Sequence, residues 1–351
     1  MLNTVVTMKL TDKQLDRLKQ RCQVVLTGWG RTGELMAEED LLRETRDADI
    51  LLVGYEAVSA RVIREATGLK LIGCARATPV NIDVAAATAR GIPVLYTPGR
   101  NANTAAEFTL GLMLAESRHI ARAYHALRSG QYLGAPMDRF AGADTRGDVV
   151  WTLDGPSPYK KFRGVELCGR TLGLVGLGHI GARVARFARA FDMEVVAHDP
   201  YLAEEQAAAL GVRLVGLDTL LGQADFISVH CKVSDETKGL LGRREFALMK
   251  PGAYVINTAR AVIIDQEALV DALRERRIAG AALDVYWYEP LPANHPLLSM
   301  DNVTLTPHLG GATEDVPERH SRMIVDDVFA WLDQARPERV YNPSVLAPAC
   351  P

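Results

Sequence analysis

Residues 171–199, TLGLVGLGHIGARVARFARAFDMEVVAHD, decide how the chain is read. The first five are apolar, of strand length, and bounded by Gly176. Gly176-Leu-Gly178-His-Ile-Gly181 comes next, and RVARFARAF then carries apolar residues at helical spacing. A GxGxxG alone is a weak signal because glycine is common; between a strand and a helix it gains a physical role. The first glycine permits a tight turn, the second lets a pyrophosphate approach the backbone, and the third lets helix and strand pack closely. The first-turn N–H groups of His179 and Ile180, at the positive end of the helix dipole, suit phosphates. The next strand, EVVAHD, ends in Asp199, 18 residues after Gly181. An acceptor for the adenosine ribose hydroxyls belongs there. Its charge repels a 2′-phosphate, so the cofactor expected is NAD rather than NADP.

Outward from this unit, short Val/Ile/Leu-rich runs alternate with helical segments in both directions, the pattern of α/β folds with parallel sheets. After EVVAH come VRLV, DFISVH, AYVINT, AGAALDV and NVTLTP; in the first hundred residues CQVVL, DILLV, LKLIGC and IPVLY read as strands. The run from Asn103 to Arg128 reads as one long helix, and EDVPERHSRMIVDDVFAWLDQA as a late amphipathic one. Residues 134–166 break the rhythm with Gly, Asp and Pro, and only DVVWTL there could be a strand; a loop of that length points to a function.

The 351 residues suffice for two domains with separate cores. A net charge of -3 gives no electrostatic case for nucleic acid or an anionic membrane surface. Five scattered cysteines, with no CxxC pair or Cys/His cluster, point away from metal and toward a reducing, cytoplasmic setting. No apolar stretch reaches the length needed to span a bilayer.

Ligands of open parallel sheets bind beyond the carboxyl ends of the strands. His230, Arg260, Asp284 and, a little further on, Glu289 and His308 fall there in the second half. Arginine has a planar fork for a carboxylate, histidine moves a proton near neutrality, and a glutamate beside it favours the imidazolium. Such a set fits reduction of a 2-oxo acid: Arg260 holds the carboxylate and polarises the carbonyl, and His308 donates the proton. His230 could line the cofactor site or merely satisfy a buried hydrogen bond.

The ordered motifs GIPVLYTPGR, NANTAAEFTLGLMLA, GLGHIG, HDP, INTARA, ALDVYWYEP and TPHLGG resemble the D-isomer-specific 2-hydroxyacid dehydrogenase family over almost the whole chain. Arg260 to Glu289 is 29 residues and Glu289 to His308 is 19. The resemblance implies that Arg260, Glu289 and His308 are catalytic. It also implies NAD contacts from Gly176, Gly178, His179, Ile180, Gly181, Asp199, Thr258, Ala259, Arg260, Asp284, His308 and Gly310. The implied fold is two doubly wound parallel-sheet α/β domains. A Rossmann NAD-binding domain, 101–309, is inserted in a flavodoxin-like substrate domain, 1–100 and 310–351, with the active site in the cleft between. A homodimer is implied as well, with the helix after Asn103 or the 134–166 segment as candidate interface, the latter reading equally as a mobile surface loop. Formate is disfavoured, since formate dehydrogenases carry glutamine at the place of Glu289. A nucleotide-sensing corepressor on the same scaffold is the alternative, told apart by absence of turnover.

Two departures bear on substrate. Where the family commonly has an arginine and then a Gly-Val-Gly turn, this chain reads Gly73-Cys74-Ala75-Arg76-Ala77-Thr78. Where phosphoglycerate dehydrogenases tend to have an arginine after the apolar run, it has Gly54. Arg76, Ala77 and Thr78 are therefore the candidate substrate-binding residues, with Arg76 supplying a cation from a shifted position; the plainer expectation is a surface arginine paired with a neighbouring acid.

Overall fold

The computed structural model describes residues 1–133 and 157–346. The DVVWTL segment, most of the 134–166 loop and Cys350 lie outside the described residues. The chain divides into two compact units, one formed by Met1–Asn101 with the chain from Ala312 onward, the other by Ala102–Gly311.

The first unit carries five parallel strands, β1 (Leu2–Val6), β2 (Cys22–Leu26), β3 (Ile50–Val53), β4 (Leu71–Cys74) and β5 (Val94–Leu95), in the order β2-β1-β3-β4-β5. This is the flavodoxin-like order. β3 and β4 are buried along their whole length, as strands covered on both faces must be. Helix Asp315–Leu332 returns to this unit and buries Ile324, Val325 and Val328 against Val6, Leu52 and Leu71. The chain then runs past the sheet edge, where Asn342 accepts from the Val94 N–H (2.8 Å) and donates to the Ile92 carbonyl (3.0 Å). β1 is the strand that the pattern of the sequence did not announce: in LNTVV two of the first three residues are polar, yet pairing on both sides makes it an interior strand.

The second unit holds seven parallel strands: β6 (Thr171–Val175), β7 (Glu194–His198), β8 (Arg213–Leu214), β9 (Phe226–Val229), β10 (Tyr254–Asn257), β11 (Gly280–Leu283) and β12 (Val303–Leu305). Their order is β12-β11-β10-β9-β6-β7-β8, doubly wound about the β6/β9 switch point. Register aligns the strand ends: Val175 lies opposite His198 and Val229, Val229 opposite Asn257, Asn257 opposite Leu283, and Leu283 opposite Leu305. The loops leaving these strand ends therefore emerge along one edge of the sheet.

The helix expected over 103–128 is two helices, Ala102–Ser117 and Ile120–Arg128, separated by His119 in the left-handed region (φ 55°). The carbonyl that would continue the first helix, that of Ser117, accepts instead from the Val165 N–H at 2.9 Å. Gly164 makes the crossing possible, since a Cβ there would lie 2.0 Å from the Ser117 oxygen. The His119 ring bonds the Glu116 carbonyl at 3.0 Å and closes the break. The buried Glu116 carboxylate accepts from Thr304 (2.6 Å) and pairs with Arg122 (3.0 Å), fastening both helices to β12. Among the described residues no helix is long and apolar enough to cross a membrane.

Candidate active site

The three motif glycines occupy three different environments. Gly176 has φ 97°, and a Cβ on it would meet the Cys231 nitrogen at 2.6 Å. Gly181, at the start of helix His179–Ala190, lies so close to β6 that a Cβ would sit 2.3 Å from the Gly176 carbonyl oxygen. Gly178 faces open space, with nothing within 4 Å of a Cβ. The turn thus leaves room for a ligand at one glycine while the other two are packed. Among the described residues no protein acceptor takes the N–H groups of His179 or Ile180. Asp199 leans over the turn, its Oδ2 accepting from the Leu177 N–H (2.8 Å) and its Oδ1 from the Tyr201 N–H (3.1 Å). Each oxygen keeps a lone pair for a hydroxyl. A phosphate-bearing dinucleotide fits this cradle by shape and by donor chemistry.

His230 emerges after β9, and its Nε2 bonds the Ser228 hydroxyl at 2.8 Å. Burial pushes its pKa down to about 3, so the ring is neutral at working pH. The hydrogen bond expected for this residue is present, and the side chain also stands beside Gly181 of the turn, its Cβ 3.7 Å from where a Cβ on that glycine would be.

After β10 the chain turns sharply at Thr258-Ala259-Arg260. The buried Asn257 side chain holds that turn, accepting from the Ala259 N–H and donating to the Arg260 carbonyl, both at 3.0 Å. The Thr258 hydroxyl lies 2.9 Å from that of Thr109. Arg260 is exposed, its only side-chain bond among the described residues going to the Ala259 carbonyl (2.6 Å); its guanidinium has no acid partner there.

Asp284, at the end of β11 and 1% exposed, organises the loop after β12. Its Oδ1 accepts from the Thr306 hydroxyl and the Leu309 N–H, and its Oδ2 from the Gly310 N–H, each at 2.7 Å. A Cβ on Gly310 would lie 3.0 Å from that carboxylate, so glycine permits the approach. Tyr286 adds a tether from its hydroxyl to the Thr306 carbonyl (2.9 Å). Stretched between these anchors, His308 adopts φ 57°, an uncommon conformation for a side chain of its size. Its Nδ1 lies 2.8 Å from Glu289 Oε2, while Glu289 Oε1 accepts from the Tyr286 N–H at 3.1 Å. Burial pushes the Glu289 pKa up, but the His308 and Tyr286 hydrogen bonds and the charges of His308 and Arg260 outweigh it and leave the carboxyl below its ordinary value. Strained backbone of this kind gathers where function needs a side chain held in one place.

The structure therefore brings Glu289 and His308 into contact and sets Arg260, Thr258, Ala259, Asp284 and Gly310 on the same sheet edge. Asn257 and Tyr286 were not singled out in the sequence; the signal was available in the polar residues flanking the TAR and TPH turns.

In the first unit, Cys74 closes β4 fully buried, and burial pushes its thiol pKa up to about 11. Its side chain cannot stand in for a solvent-facing arginine. Arg76 leaves the sheet two residues later, its guanidinium over the Tyr55 ring (5.3 Å to the centroid), and Trp29 meets that ring edge-on at 4.4 Å. The acid partner expected for a surface arginine is absent among the described residues. Ala77 and Thr78 are exposed, and their N–H groups donate to no described protein acceptor.

Residues 110–310 match the family described as D-isomer specific 2-hydroxyacid dehydrogenase, NAD binding domain. A D-3-phosphoglycerate dehydrogenase of Methanocaldococcus jannaschii is 39% identical over 309 residues, which are 88% of this chain and 54% of that one. The chain spans about half the length of such phosphoglycerate dehydrogenases. A glyoxylate reductase of Thermofilum pendens is 37% identical over 97% of this chain and 94% of its own. Among solved structures, the TT0316 protein of Thermus thermophilus superposes with a TM-score of 0.76 at 34% identity, covering 97% of this chain and all of that one. Fold, ordered motifs and identity over nearly the full length agree: the chain belongs to the D-isomer-specific 2-hydroxyacid dehydrogenase family.

Proposed function

We propose that the protein is an NAD-dependent D-2-hydroxyacid dehydrogenase that reduces a small 2-oxo acid to the D-2-hydroxy acid. The observation that carries this reading is the 2.8 Å contact between His308 and Glu289 on a loop pinned by Asp284. Gly176, Gly178, His179, Ile180 and Gly181 would hold the pyrophosphate and Asp199 the ribose. Thr258, Ala259, Arg260, Asp284, His308 and Gly310 would surround the nicotinamide. When bound, NADH supplies the hydride that reaches the carbonyl carbon. Arg260, free of any acid partner among the described residues, takes the substrate carboxylate in its planar fork and polarises the carbonyl. His308 gives its proton to the carbonyl oxygen, and Glu289 orients the ring and stabilises the imidazolium before transfer. The sum is 2-oxo acid, NADH and a proton going to 2-hydroxy acid and NAD. In the opposite direction His308 is the base.

NAD is favoured over NADP because a 2′-phosphate would meet the Asp199 carboxylate. A homodimer is favoured by helix Ile120–Arg128, where Ile120, Tyr124 and Leu127 are 55%, 67% and 53% exposed at helical spacing. The test is NADH oxidation with a panel of 2-oxo acids. His308→Ala should lower kcat by about a thousandfold with NADH binding, read by fluorescence, retained; Arg260→Lys should not restore the activity lost in Arg260→Ala. Turnover retained in His308→Ala, or absent from wild type with every acid, would overturn the reading.

A further inference from the structure

In the second unit the sheet order places β6 between β9 and β7. The Gly176–Gly181 turn leaves β6, so the segments leaving β7 and β9 flank it on either side. Neighbouring strands lie roughly 5 Å apart, which sets those two strands about 10 Å from one another across β6. Their segments meet all the same. The hydroxyl of Tyr201, three residues after β7, donates to Glu236 Oε2 on the segment after β9, at 2.6 Å.

Both ends of this contact are anchored to the turn or to a neighbouring loop. On the β7 side, Asp199 accepts from the Leu177 N–H of the turn and from the Tyr201 N–H, so one carboxylate ties the two together. On the β9 side, the backbone of Cys231 runs against Gly176. Thr237 then folds the segment, its hydroxyl donating to the Lys232 carbonyl and accepting from the Ser234 N–H, each at 2.7 Å. The Gly239 N–H donates to the Val262 carbonyl at 2.8 Å and fastens the far end beside the loop after β10. Glu236 is thus presented from a closed turn.

The two partners keep their other capacities unused. Tyr201 is 82% exposed, so its hydroxyl is held while the faces of its ring stay bare. A ring fixed at its tip suits a flat base, because every base has a π-face to stack. Glu236 forms no salt bridge among the described residues, whereas Asp235 beside it pairs with Lys238 (3.0 Å). The Tyr201 pKa is raised, first by the bond to Glu236 and its charge, then by desolvation and the charge of Asp199, so two carboxylates are felt at one hydroxyl. A phosphate on the ribose held by Asp199 would meet both. The exposed Lys232 is the cation of this segment that has no acid partner among the described residues.

We propose that Tyr201 and Glu236 form a bridge over the adenosine end of the dinucleotide, in which the Tyr201 ring packs on adenine and Glu236 fixes that ring and adds a second negative charge to that of Asp199 against a 2′-phosphate. The proposal rests on the reading above, in which the Gly176–Gly181 turn takes the pyrophosphate and Asp199 the ribose.

The experiment measures dissociation constants for NADH, NADPH and reduced nicotinamide mononucleotide, which lacks adenosine, by nicotinamide fluorescence. It adds 5′-AMP as a competitor of NADH and uses wild type, Tyr201→Phe, Tyr201→Ala, Glu236→Gln and Asp199→Asn. Tyr201→Ala should weaken NADH and 5′-AMP alike by about tenfold and leave the mononucleotide unaffected. Tyr201→Phe keeps the ring and loses its anchor, and should cost about threefold. Wild type should bind NADH at least about tenfold more tightly than NADPH. In Glu236→Gln the amide oxygen still accepts from Tyr201, so NADH affinity should stay near that of wild type while the preference over NADPH narrows by about fivefold. Asp199→Asn should narrow it as well. Equal weakening of NADH and the mononucleotide by Tyr201→Ala, or a NADH loss that 5′-AMP does not share, would overturn the adenine contact. A preference that narrows in Asp199→Asn and not in Glu236→Gln would overturn the second charge and leave Asp199 its role. Tighter binding of NADPH by wild type would overturn both acids as discriminators, and binding of no nucleotide would overturn the dehydrogenase reading itself.

Discussion

The two units solve one problem in different ways. In the second, the candidate catalytic groups come from consecutive strand ends, and their positions are fixed by polar groups at the end of the same strand or of the neighbouring one: Asn257 for Arg260, Asp284 and the half-buried Tyr286 for His308. In the first, a small cavity with Lys9, Arg76 and Arg100 in its lining draws on six separated segments, and Arg100 meets a histidine 220 residues away. The candidate catalytic loops are stapled to their own strand or to the neighbouring one. The cationic residues of the first unit stand on separate connections, where single substitutions can change charge without disturbing a strand end.

The comparison breaks most readily at Asp284. Its carboxylate takes three donors, and Asn in its place would turn an NH₂ group toward at least one of them. We expect Asp284→Asn to cost about 2 kcal/mol of stability, read in denaturant unfolding. Movement of His308 by a fraction of an ångström to an ångström should cost about a hundredfold in kcat. His320→Asn, the corresponding change in the first unit, should leave kcat within a few-fold of wild type, since its partners Arg100 and Lys9 hold no candidate catalytic group. If the two substitutions hurt kcat equally, the distinction between a stapled loop and an assembled cavity is wrong.

The glycines sharpen the contrast between room for a ligand and room for the chain. Gly178→Ala meets open space and should leave the melting temperature near that of wild type while weakening NADH binding by about tenfold. Gly181→Ala drives a Cβ to 2.3 Å from the Gly176 carbonyl and should lower the melting temperature as well as the affinity. Equal loss of stability in both would mean that Gly178 is structural and not the point of closest approach to the pyrophosphate.

The same contrast governs how much was legible in the sequence. Local pattern announced the GLGHIG turn and the succession of strands β6 to β12 along the chain, and strand ends with the family resemblance pointed to Glu289 and His308, because each rests on neighbours along the chain or on parallel register that aligns strand ends. It did not announce β1, whose pairing with both β2 and β3 outweighs a half-polar composition, nor the break at His119, imposed by Gly164–Val165 from 45 residues away. Arg76 stood out as an oddity after a buried strand. Lys9, Arg100 and His320 did not, since nothing local marks a lysine after an N-terminal strand or an arginine in TPGR as facing the same space.

The smallest expected effect concerns two neutral histidines, one in each unit. Burial pushes His230 to about 3, and His320 is lowered as well, first by burial and then by neighbouring positive charge. A histidine whose folded pKa lies below its unfolded value of about 6.5 binds fewer protons in the native state. Its contribution is therefore complete above pH 6.5 and falls away as pH drops toward the folded pKa, by at most about 1.4 kcal/mol per pH unit for each ring. Urea unfolding at pH 7.5, 6.0 and 5.0 should show stability declining with acid. His230→Asn and His320→Asn should each flatten the decline by part of one ring's share, whatever they cost at pH 7.5. For His230 the window runs down to about pH 3. For His320 acid has a further consequence: protonating Nδ1 removes the acceptor for Arg100 and adds a cation beside it. A decline left unchanged by both substitutions would show that acid sensitivity reports other groups of the molecule and not these two rings.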